Sequence, residues 1–480
     1  MKKHLLSISL LIASLFISDL EAKKSRPTDI KSMMESSRNL NIDFVDFLFM
    51  DITGHLKSVT LPTDKIQGAF EKGIFFDGSS ILGYTSINAS DLLAKADLGS
   101  SFLQPWNNDL KGAYVFCDVY SSSTQPYKHC PRNVLKKALQ RANDAGFEPA
   151  AGIELEFYLF KKGVDGALVP VDNNVYCDAI SDVQLDTFKN SLLYLLDTAG
   201  IEVEKAHHEV APGQYEIVLR YGNPLLIADS LILAKHIMRS FAQMNGYEIS
   251  FMPKPIAGVN GTGMHIHMSM QDTETKKNAF YDATKLYSLS DTARHFIAGN
   301  LEHLRDMTLL LNSSVNSYKR LVPGYEAPVY LSWGFKNRST AIRIPETNPE
   351  ELIETDGAPV RMEFRSPDPC CNPYFVFASI IHAGLDGIEK KTIATDSVEQ
   401  NLYKSTAEER EALNIKTIPH SLGDSLEVFR DSTFMKETFG ESLHAKLISL
   451  SENNWKDYSL TEEHNPLIIS EWEKNYHNII

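Results

Sequence analysis

Four separated segments of this chain alternate charged or polar side chains with apolar ones, and this period of two fits a β-strand rather than an α-helix. In the clearest segment, residues 264–270, His265, His267 and Ser269 would lie on one face, with only apolar residues opposite. Because successive strand residues point to opposite sides of a sheet, each segment must lie between an apolar layer and a polar space. The pattern predicts a domain built on a sheet with a polar cavity along one face.

The acidic residues of these segments occur close together. Glu154 and Glu156 share one strand face, Glu209 and Glu216 flank a Pro-Gly turn, and Glu363 alternates with two arginines. At about 4 Å and an effective dielectric constant of about 20, two carboxylates repel by on the order of 4 kcal/mol, so a partly buried pair must bind a cation or a proton. Four independent solvated faces are the alternative, but the repeated pattern favours one shared cavity.

Together with His265, these five carboxylates form a ligand set dominated by oxygen. Hard divalent ions such as Mg²⁺ or Mn²⁺ prefer such a set, whereas zinc or iron would require more nitrogen or sulfur. Six protein ligands are too many for one ion that must also bind substrate oxygens. The sequence therefore predicts two or three ions in one site.

A window rich in arginine, residues 316–345, contains Arg320, Arg338 and Arg343 around the carboxylate of Glu326. The planar guanidinium group binds phosphate and carboxylate through paired hydrogen bonds. A salt-bridged surface loop is the alternative for any such cluster. The chain contains no GxxxxGK[ST] loop, no kinase glycine-rich loop and no GxGxxG motif. Phosphoryl transfer by this chain would therefore depend on carboxylate-bound metal and arginine.

The predicted elements divide the chain into two parts. A strand pair around Thr53 and Gly54 indicates a small β-rich domain that ends near residue 130. Beyond it, strands alternate with segments of helix-like pattern at 134–145, 183–199, 226–244, 291–311 and 396–411. A net charge of -15 argues against nucleic acid as the main partner, and five cysteines without a CxxC motif indicate no disulfide framework.

The N-terminus has a pattern of its own. Lys2 and Lys3 precede an apolar run at 5–17, which is typical of a secretory signal peptide and too short to span a bilayer. We therefore treat residues 1–26 as a signal-like leader or an appended helix, and we expect the first domain helix to begin with Thr28 as its N-cap. No later segment is long and apolar enough to cross a membrane.

Longer motifs resemble those of one known family, bacterial type I glutamine synthetase of the alpha-type subgroup. They are FDGSS at 76–80, ELEF at 154–157, HHEVAPGQYEI at 207–217, FMPKP at 251–255, NGTGMHIH at 260–267, NSYKRLVPGYEAPV at 316–329 and RMEFRSPDP at 361–369. The resemblance implies an α+β fold with an N-terminal β-grasp-like domain at 27–130 and a C-terminal α/β barrel-like catalytic domain at 131–480. It also implies a homo-oligomer, a double-ringed dodecamer with sites shared between neighbouring copies. One departure is the connection from Pro345 to Arg361, which is longer and more acidic than is usual in the family.

The resemblance assigns the metal ligands to two ions. The ligands of the first would be Glu156, Glu209 and Glu216. The ligands of the second would be Glu154, His265 and Glu363.

The resemblance also assigns the groups that contact the substrates. Those at the glutamate site would be Arg320, Arg365, Asn260 and the backbone of Gly261. Those that contact ATP and the transferred phosphoryl group would be His267, Ser269, Arg338 and Arg343. Those at the ammonium site would be Asp77 as the catalytic base, Ser80, the flap carboxylate Glu326 and the assisting Tyr176.

The activity implied by this resemblance is the ATP-dependent ligation of ammonia to the side-chain carboxylate of L-glutamate, which gives L-glutamine through γ-glutamyl phosphate. The alternatives are a γ-glutamyl ligase that uses a larger amine and a non-catalytic structural relative. We expect a cytoplasmic location, because ATP and glutamate are available there; the protein would be exported if residues 1–22 acted as a signal peptide.

Overall fold

The computed structural model describes residues 26–105, 109–164, 166–355, 357–461, 465 and 467–477. Apart from Arg26, the leader expected at residues 1–26 lies outside the described residues. Within the described part of the chain, no helix has both the length and the apolar character needed to cross a bilayer.

A five-stranded sheet forms the N-terminal part. Its strands run in the order β2-β1-β5-β4-β3, with β1 and β5 parallel and the other neighbours antiparallel. The strands are β1 (Phe44–Met50), β2 (Leu56–Pro62), β3 (Ile74–Asp77), β4 (Asp91–Leu103) and β5 (Gly112–Tyr120). Two helices accompany the sheet, α1 (Ile30–Asn39) and α2 (Thr63–Lys72). The strand pair predicted around Thr53 and Gly54 is confirmed as β1 and β2.

The predicted start of the first helix is wrong by one residue. Asp29, and not Thr28, is the N-cap of α1, because its side chain accepts a hydrogen bond from the backbone N–H of Ser32 at 2.7 Å. The side chain of Ser32 accepts the N–H of Asp29 in return, which completes a capping box.

A nine-stranded sheet forms the centre of the larger part. Its strands are β6 (Phe147–Lys162), β7 (Leu168–Pro170), β8 (Val203–His208), β9 (Gln214–Gly222), β10 (Tyr247–Ser250), β11 (Met264–Asp272), β12 (Tyr330–Phe335), β13 (Thr340–Ile344) and β14 (Met362–Phe364). The main path runs β12-β13-β14-β11-β6-β9-β8, and the short strands β7 and β10 also pair with β6. The central position of β6, which carries Glu154 and Glu156, matters for function, because its neighbours on the main path, β11 and β9, carry His265 and Glu216.

Helices surround this sheet. They are α3 (Pro131–Asp144), α4 (Val183–Ala199), α5 (Pro224–Met244), α6 (Asp291–Leu311), α7 (Ser317–Arg320), α8 (Pro349–Glu354), α9 (Pro373–Lys390), α10 (Ala407–Ala412), α11 (Leu422–Asp431), α12 (Thr433–Phe439), α13 (Glu441–Thr461) and α14 (Glu471–His477). Two sheets with packed helices agree with the predicted α+β class.

The predicted helix limits are confirmed for α4 and α6. Two other helices begin earlier than predicted, because Pro131 and Pro224 occupy their first turns, where a missing N–H costs nothing. The helix expected at 396–411 is wrong for most of its length. There the chain extends along β12, with the N–H of Val398 bonded to the carbonyl of Trp333 at 2.9 Å, and only α10 is helical.

A buried ion network joins the two parts of the chain. Arg132 of α3 is 2% exposed and lies 2.5 Å from Asp118 of β5 and 2.9 Å from both Asp97 of β4 and Asp229 of α5. Removing one partner from such a network leaves a buried charge uncompensated, which typically costs about 3–5 kcal/mol. The N-terminal sheet is thereby fixed against the helices of the larger part.

Candidate active site

The register of four antiparallel strands assembles the predicted ligands. Glu154 of β6 is paired with His265 of β11, and Glu156 of β6 is paired with Glu216 of β9. On the far side of β11, His267 is paired with Glu363 of β14. Paired residues on one face of a sheet lie about 5 Å apart, so the register alone brings these groups into one cavity.

His265 is the centre of a first cluster of side chains. Its Nδ1 lies 3.3 Å from Glu154 Oε2 and 3.4 Å from Glu363 Oε1, and its Nε2 lies 3.6 Å from Glu156 Oε1. One ligand atom each of Glu154, Glu216 and His265 lies within 4.8 Å of the others, which is close enough to hold one metal ion.

A second cluster contains a histidine to which the sequence motifs give no role. His207 Nε2 lies 3.1 Å from Glu216 Oε1, and its Nδ1 lies 3.5 Å from Glu209 Oε1. The hydrogen bond with Glu216 raises the pKa of His207. Since Glu216 belongs to both clusters, the two candidate metal positions are adjacent.

Burial and neighbouring charges shift the pKa values of these carboxylates. Burial raises the pKa of Glu209 to about 9, and the charges of Glu156 and Glu216 contribute to the shift. Burial also acts to raise the pKa of Glu363, but Arg365 and Arg343 outweigh it and hold that pKa at about 2. Burial and like charges therefore favour the protonated form of Glu209, whereas the arginines favour the ionised form of Glu363.

The donor set fits hard divalent cations. Carboxylate oxygens dominate it, and a single imidazole from His265 completes the first cluster. Glu363 Oε2 is buried without a hydrogen-bond donor, although Arg343 Nη1 lies 2.9 Å away in an ion contact that lacks hydrogen-bond geometry. A buried carboxylate oxygen without a donor suits a metal ligand, because an ion can satisfy it.

Two buried arginines border the first cluster. Arg320 donates through Nη1 to the carbonyl of Ser366 at 2.7 Å and through Nη2 to the carbonyl of Arg365 at 2.9 Å. Arg365 Nη1 lies 2.5 Å from Glu363 Oε1, and its Nε is buried without a partner among the described residues. Gly261 is needed beside them, because a Cβ there would lie 2.7 Å from Arg320 Cγ.

Gln214 is a site residue that the sequence reasoning missed. Its Nε2 donates to Glu156 Oε2 and to the carbonyl of Gly261, both at 3.0 Å. It therefore joins a candidate metal ligand to the loop expected to bind glutamate. Its role could have been predicted from its position two residues before Glu216, because residues two apart lie on the same face of a strand.

The expected nucleotide side begins at His267. Its Nε2 lies 2.9 Å from Glu154 Oε1, and its Nδ1 accepts a hydrogen bond from Arg361 Nε at 3.2 Å. Ser269 lies farther along β11 on the same face and is half-buried. Arg361 is another residue to which the sequence reasoning gave no role.

Three predicted residues lie at the rim. The Tyr176 ring stands edge-on to His207, with centroids 5.3 Å apart. Arg338 is exposed in the turn between β12 and β13, and its charge adds to burial in lowering the pKa of Arg343. Glu326 is exposed, and its charge contributes to the raised pKa of Glu209.

Asn260 lies beside the same cavity. Its carbonyl accepts the hydroxyl hydrogen of Tyr158 at 2.6 Å, which fixes the loop that leads to Gly261. The adjacent Gly261 lies against Arg320, and its carbonyl accepts a hydrogen bond from Gln214.

Asp77 and Ser80 lie at the end of a strand of the N-terminal sheet, whereas both clusters lie on the larger sheet. Asp77 ends β3 in the N-terminal sheet, where its exposed carboxylate accepts hydrogen bonds from the hydroxyls of Ser79 and Ser80 at 2.6 Å. No hydrogen bond or ion pair between described residues joins Asp77 or Ser80 to either cluster.

Comparisons with known proteins identify the family of this chain. Residues 41–122 match the family model of the glutamine synthetase β-grasp domain, and residues 128–469 match that of the glutamine synthetase catalytic domain. Glutamine synthetase of Thermotoga maritima is 40% identical over 433 residues, which cover 90% of this chain and 96% of the relative. Glutamine synthetase of Pyrococcus abyssi is 39% identical over 447 residues, which cover 92% and 98%. A solved structure titled "GmaS/ADP complex-Conformation 1" superposes with a TM-score of 0.80 at 27% identity and covers 95% of this chain and 100% of its own. Together, these matches place the chain in the glutamine synthetase family.

Proposed function

We propose that this protein is a glutamine synthetase, which forms L-glutamine from L-glutamate, ammonia and ATP. The observation that carries this proposal is the pair of carboxylate clusters that share Glu216 and are bordered by buried arginines, in a chain that matches named glutamine synthetases over about nine-tenths of its length. We also infer that it belongs to the bacterial type I, alpha-type subgroup, as its motifs suggest.

The two clusters would hold divalent metal ions, which the family uses together with ATP. We infer Mg²⁺ or Mn²⁺, two or three per site, because the ligands are oxygens with one imidazole. By the resemblance, one ion would be held by Glu156, Glu209 and Glu216, and the other by Glu154, His265 and Glu363. The ligand atoms within 4.8 Å of one another group differently, as Glu154, Glu216 and His265, and as His207, Glu209 and Glu216. Bound there, the ions would offset the carboxylate charge and polarise the terminal phosphoryl group of ATP.

The remaining residues orient the reactants of the first step. Arg320, Arg365 and the backbone of Gly261 would bind glutamate, with Asn260 beside them, while His267 and Ser269 face the nucleotide. A side-chain carboxylate oxygen of glutamate attacks the terminal phosphorus of ATP, and ADP leaves with the electrons of the broken bond. Arg338 and Arg343 would stabilise the charge on the transferred group.

In the second step, ammonium bound at Asp77 and Ser80 loses a proton to Asp77, and ammonia attacks the acyl carbon while phosphate leaves. Glu326 and Tyr176 would close the site so that water is excluded. Because Asp77 lies in the N-terminal sheet away from both clusters, we infer that it serves the site of a neighbouring copy. A homo-oligomer with shared sites, a dodecamer by the family resemblance, meets this requirement.

A γ-glutamyl ligase that joins glutamate to a larger amine is the second candidate, since the solved relatives carry the different name GmaS. The proposed ammonium site favours a small cation over a larger amine; it would be formed by Asp77, Ser80 and Glu326. A non-catalytic relative is disfavoured, because crowded carboxylates without a ligand are costly to keep buried. We infer a cytoplasmic location, where ATP and glutamate are available.

The deciding assay measures ATP-dependent product formation from glutamate with ammonium, putrescine or ethanolamine in Mg²⁺. We expect glutamine from ammonium and little product from the two larger amines. A preference for either larger amine would overturn the assignment in favour of the second candidate.

A further inference from the structure

Lys254 is a buried lysine to which the proposed chemistry gives no role. It is 4% exposed and lies in the loop after β10. Its ammonium group donates a hydrogen bond to the carbonyl of Val259 and lies 4.2 Å from the centre of the Tyr325 ring. Among the described residues, no carboxylate lies within ion-pair distance of it.

A buried ammonium group without a carboxylate partner is costly, because neither water nor a counter-ion offsets its charge. Burial and the nearby Arg320 lower the pKa of Lys254 to about 8. The Tyr325 ring face offsets part of this cost, because a cation is attracted to the face of an aromatic ring. Packing alone would be met by an apolar side chain of the same length, so the charge requires an explanation.

The two contacts described for the Lys254 ammonium group lie in segments that the proposed reaction uses. Val259 directly precedes Asn260 and Gly261, the proposed glutamate-binding groups, and we name this segment the glutamate loop, residues 259–261. Tyr325 directly precedes Glu326, the proposed closing carboxylate. We name that segment the flap, residues 324–326.

The flap has an unfavourable backbone conformation. Gly324, Tyr325 and Glu326 all have positive φ, at 97°, 49° and 58°. For residues other than glycine, the left-handed region is sterically unfavourable, so contacts from outside must stabilise the conformation. Lys254 supplies one at Tyr325, and the Tyr403 hydroxyl supplies another by donating to the carbonyl of Ala327 at 2.9 Å.

We propose that Lys254 is a positioning residue that holds the flap against the glutamate loop and so shields the acyl phosphate from water until ammonia attacks. This inference rests on the function proposed above for Glu326 and Gly261. When the shield fails, a water oxygen attacks the acyl carbon and phosphate leaves, so glutamate is regenerated and ATP is consumed without an amide product.

The measurement is the ratio of phosphate released to glutamine formed, which is one for perfect coupling. We expect Lys254→Met and Tyr325→Leu each to raise the excess of this ratio above one about fivefold, the factor that corresponds to ~1 kcal/mol of lost cation–π contact. Lys254→Arg and Tyr325→Phe keep the charge and the ring, so they should stay near the wild-type ratio. The double variant Lys254→Met/Tyr325→Leu should be no worse than the more severe single change, because both remove the same contact.

A matched control is available in Lys235. It also donates to a backbone carbonyl, that of Pro369, and lies 5.2 Å from the Phe251 ring, but it touches neither the flap nor the glutamate loop. Lys235→Met should lower the unfolding temperature and leave the ratio unchanged. An equal rise of the ratio in Lys235→Met would overturn the proposal.

Hydrogen exchange of the backbone amides at 324–329 is a second readout that does not depend on activity. We expect faster exchange there in Lys254→Met and Tyr325→Leu than in Lys235→Met, without substrates. Tyr325 is 44% exposed, so Tyr325→Leu should fold even where Lys254→Met does not. Wild-type exchange and a wild-type ratio in folded Tyr325→Leu would overturn the role of Lys254, whereas failure of the wild type to form glutamine would overturn the proposed function.

Discussion

Arg343 and Glu363 are paired on neighbouring antiparallel strands, and Arg343 Nη1 lies 2.9 Å from Glu363 Oε2. Arg365, two residues farther along, contacts the other oxygen of the same carboxylate at 2.5 Å. A proposed metal ligand is thus held between a proposed phosphate-binding arginine and a proposed glutamate-binding arginine. Movement of any one of the three groups should disturb metal and substrate binding together.

Glu363→Gln and His265→Ala should each reduce glutamate-dependent ADP formation by more than about 100-fold, because each removes a ligand of the same proposed ion. This large loss of activity should be accompanied by only a small change in the unfolding temperature. The measurement is initial rate across a Mg²⁺ titration, with thermal unfolding of the same samples. Near-wild-type turnover of both variants would remove the basis for the metal assignment.

Asp77→Ala should retain glutamate-dependent acyl phosphate formation and lose amide formation, since Asp77 is proposed to act only on ammonium. Equal loss of both half-reactions would instead make Asp77 structural.

Mixed oligomers supply the control for shared sites. Co-assembly of Asp77→Ala with Glu363→Gln chains should restore roughly a quarter of the wild-type rate, because a quarter of the shared sites would then be intact in a randomly mixed symmetric assembly.

Asn278→Ala should raise KM for ATP several-fold and leave KM for glutamate unchanged. The Asn278 side-chain amide donates to the carbonyls of Gly357, Ala358 and Val360 at 3.0, 3.2 and 2.8 Å, and so orders the end of the long acidic connection. Arg361 follows directly and donates to His267. Steady-state kinetics with each substrate varied provide the test, and a parallel rise of both KM values would contradict it.

His382→Gln should make the protein less sensitive to acid. Burial, with the adjacent Arg141, lowers the pKa of His382 to about 4, below the value near 6.5 expected when unfolded. The unfolded chain therefore binds the proton more tightly, so this histidine's contribution to stability is complete above about pH 6.5 and is lost as the pH falls towards 4. The variant keeps an acceptor for Arg141, which donates to His382 Nδ1 at 2.7 Å.

The measurement for His382 is the unfolding temperature at pH 7.5 and at pH 5. The decrease between these values should be smaller in the variant by about 3 °C. An unchanged decrease would mean that His382 does not carry this part of the acid sensitivity.

Deletion of residues 1–25 should leave folding and activity intact, whereas deletion to Met33 should be harmful. The shorter deletion keeps Arg26, whose guanidinium lies 4.5 Å from the Phe102 ring and donates to the carbonyl of Gly200 at 3.1 Å. The longer one removes the Asp29 cap and the buried Met33. The measurements are the soluble yield, unfolding temperature and specific activity of the two truncated proteins.

The cytoplasmic location is a separate prediction, which is tested by fractionation of cells of the native host.

The sequence predicted the features that depend on the local periodicity of apolar and polar residues. Alternation placed His265 and His267 on one strand face, and helix periodicity gave α4 and α6 their limits. It could not predict that Glu216 belongs to both clusters, because this depends on the register between β6 and β9, which includes an irregularity between Ala151 and Ile153.

Contacts between segments that are distant along the chain also could not be predicted from the sequence. Lys254 meets Tyr325 across about seventy residues, and neither residue carries a local signal of that contact. His207 was visible in its motif, but its place between Glu209 and Glu216 follows from the path of the turn that joins β8 to β9.

The Arg132 network sets a rule for building chimeras of this enzyme. A crossover placed between the β-grasp match, which ends at residue 122, and the catalytic match, which begins at residue 128, would separate Asp97 and Asp118 from their arginine. An N-terminal segment grafted from a relative should therefore give a folded protein only if it places acidic residues at both positions that contact Arg132. The boundary between the two family models is therefore a usable crossover point only where the exchanged segment preserves the Arg132 network.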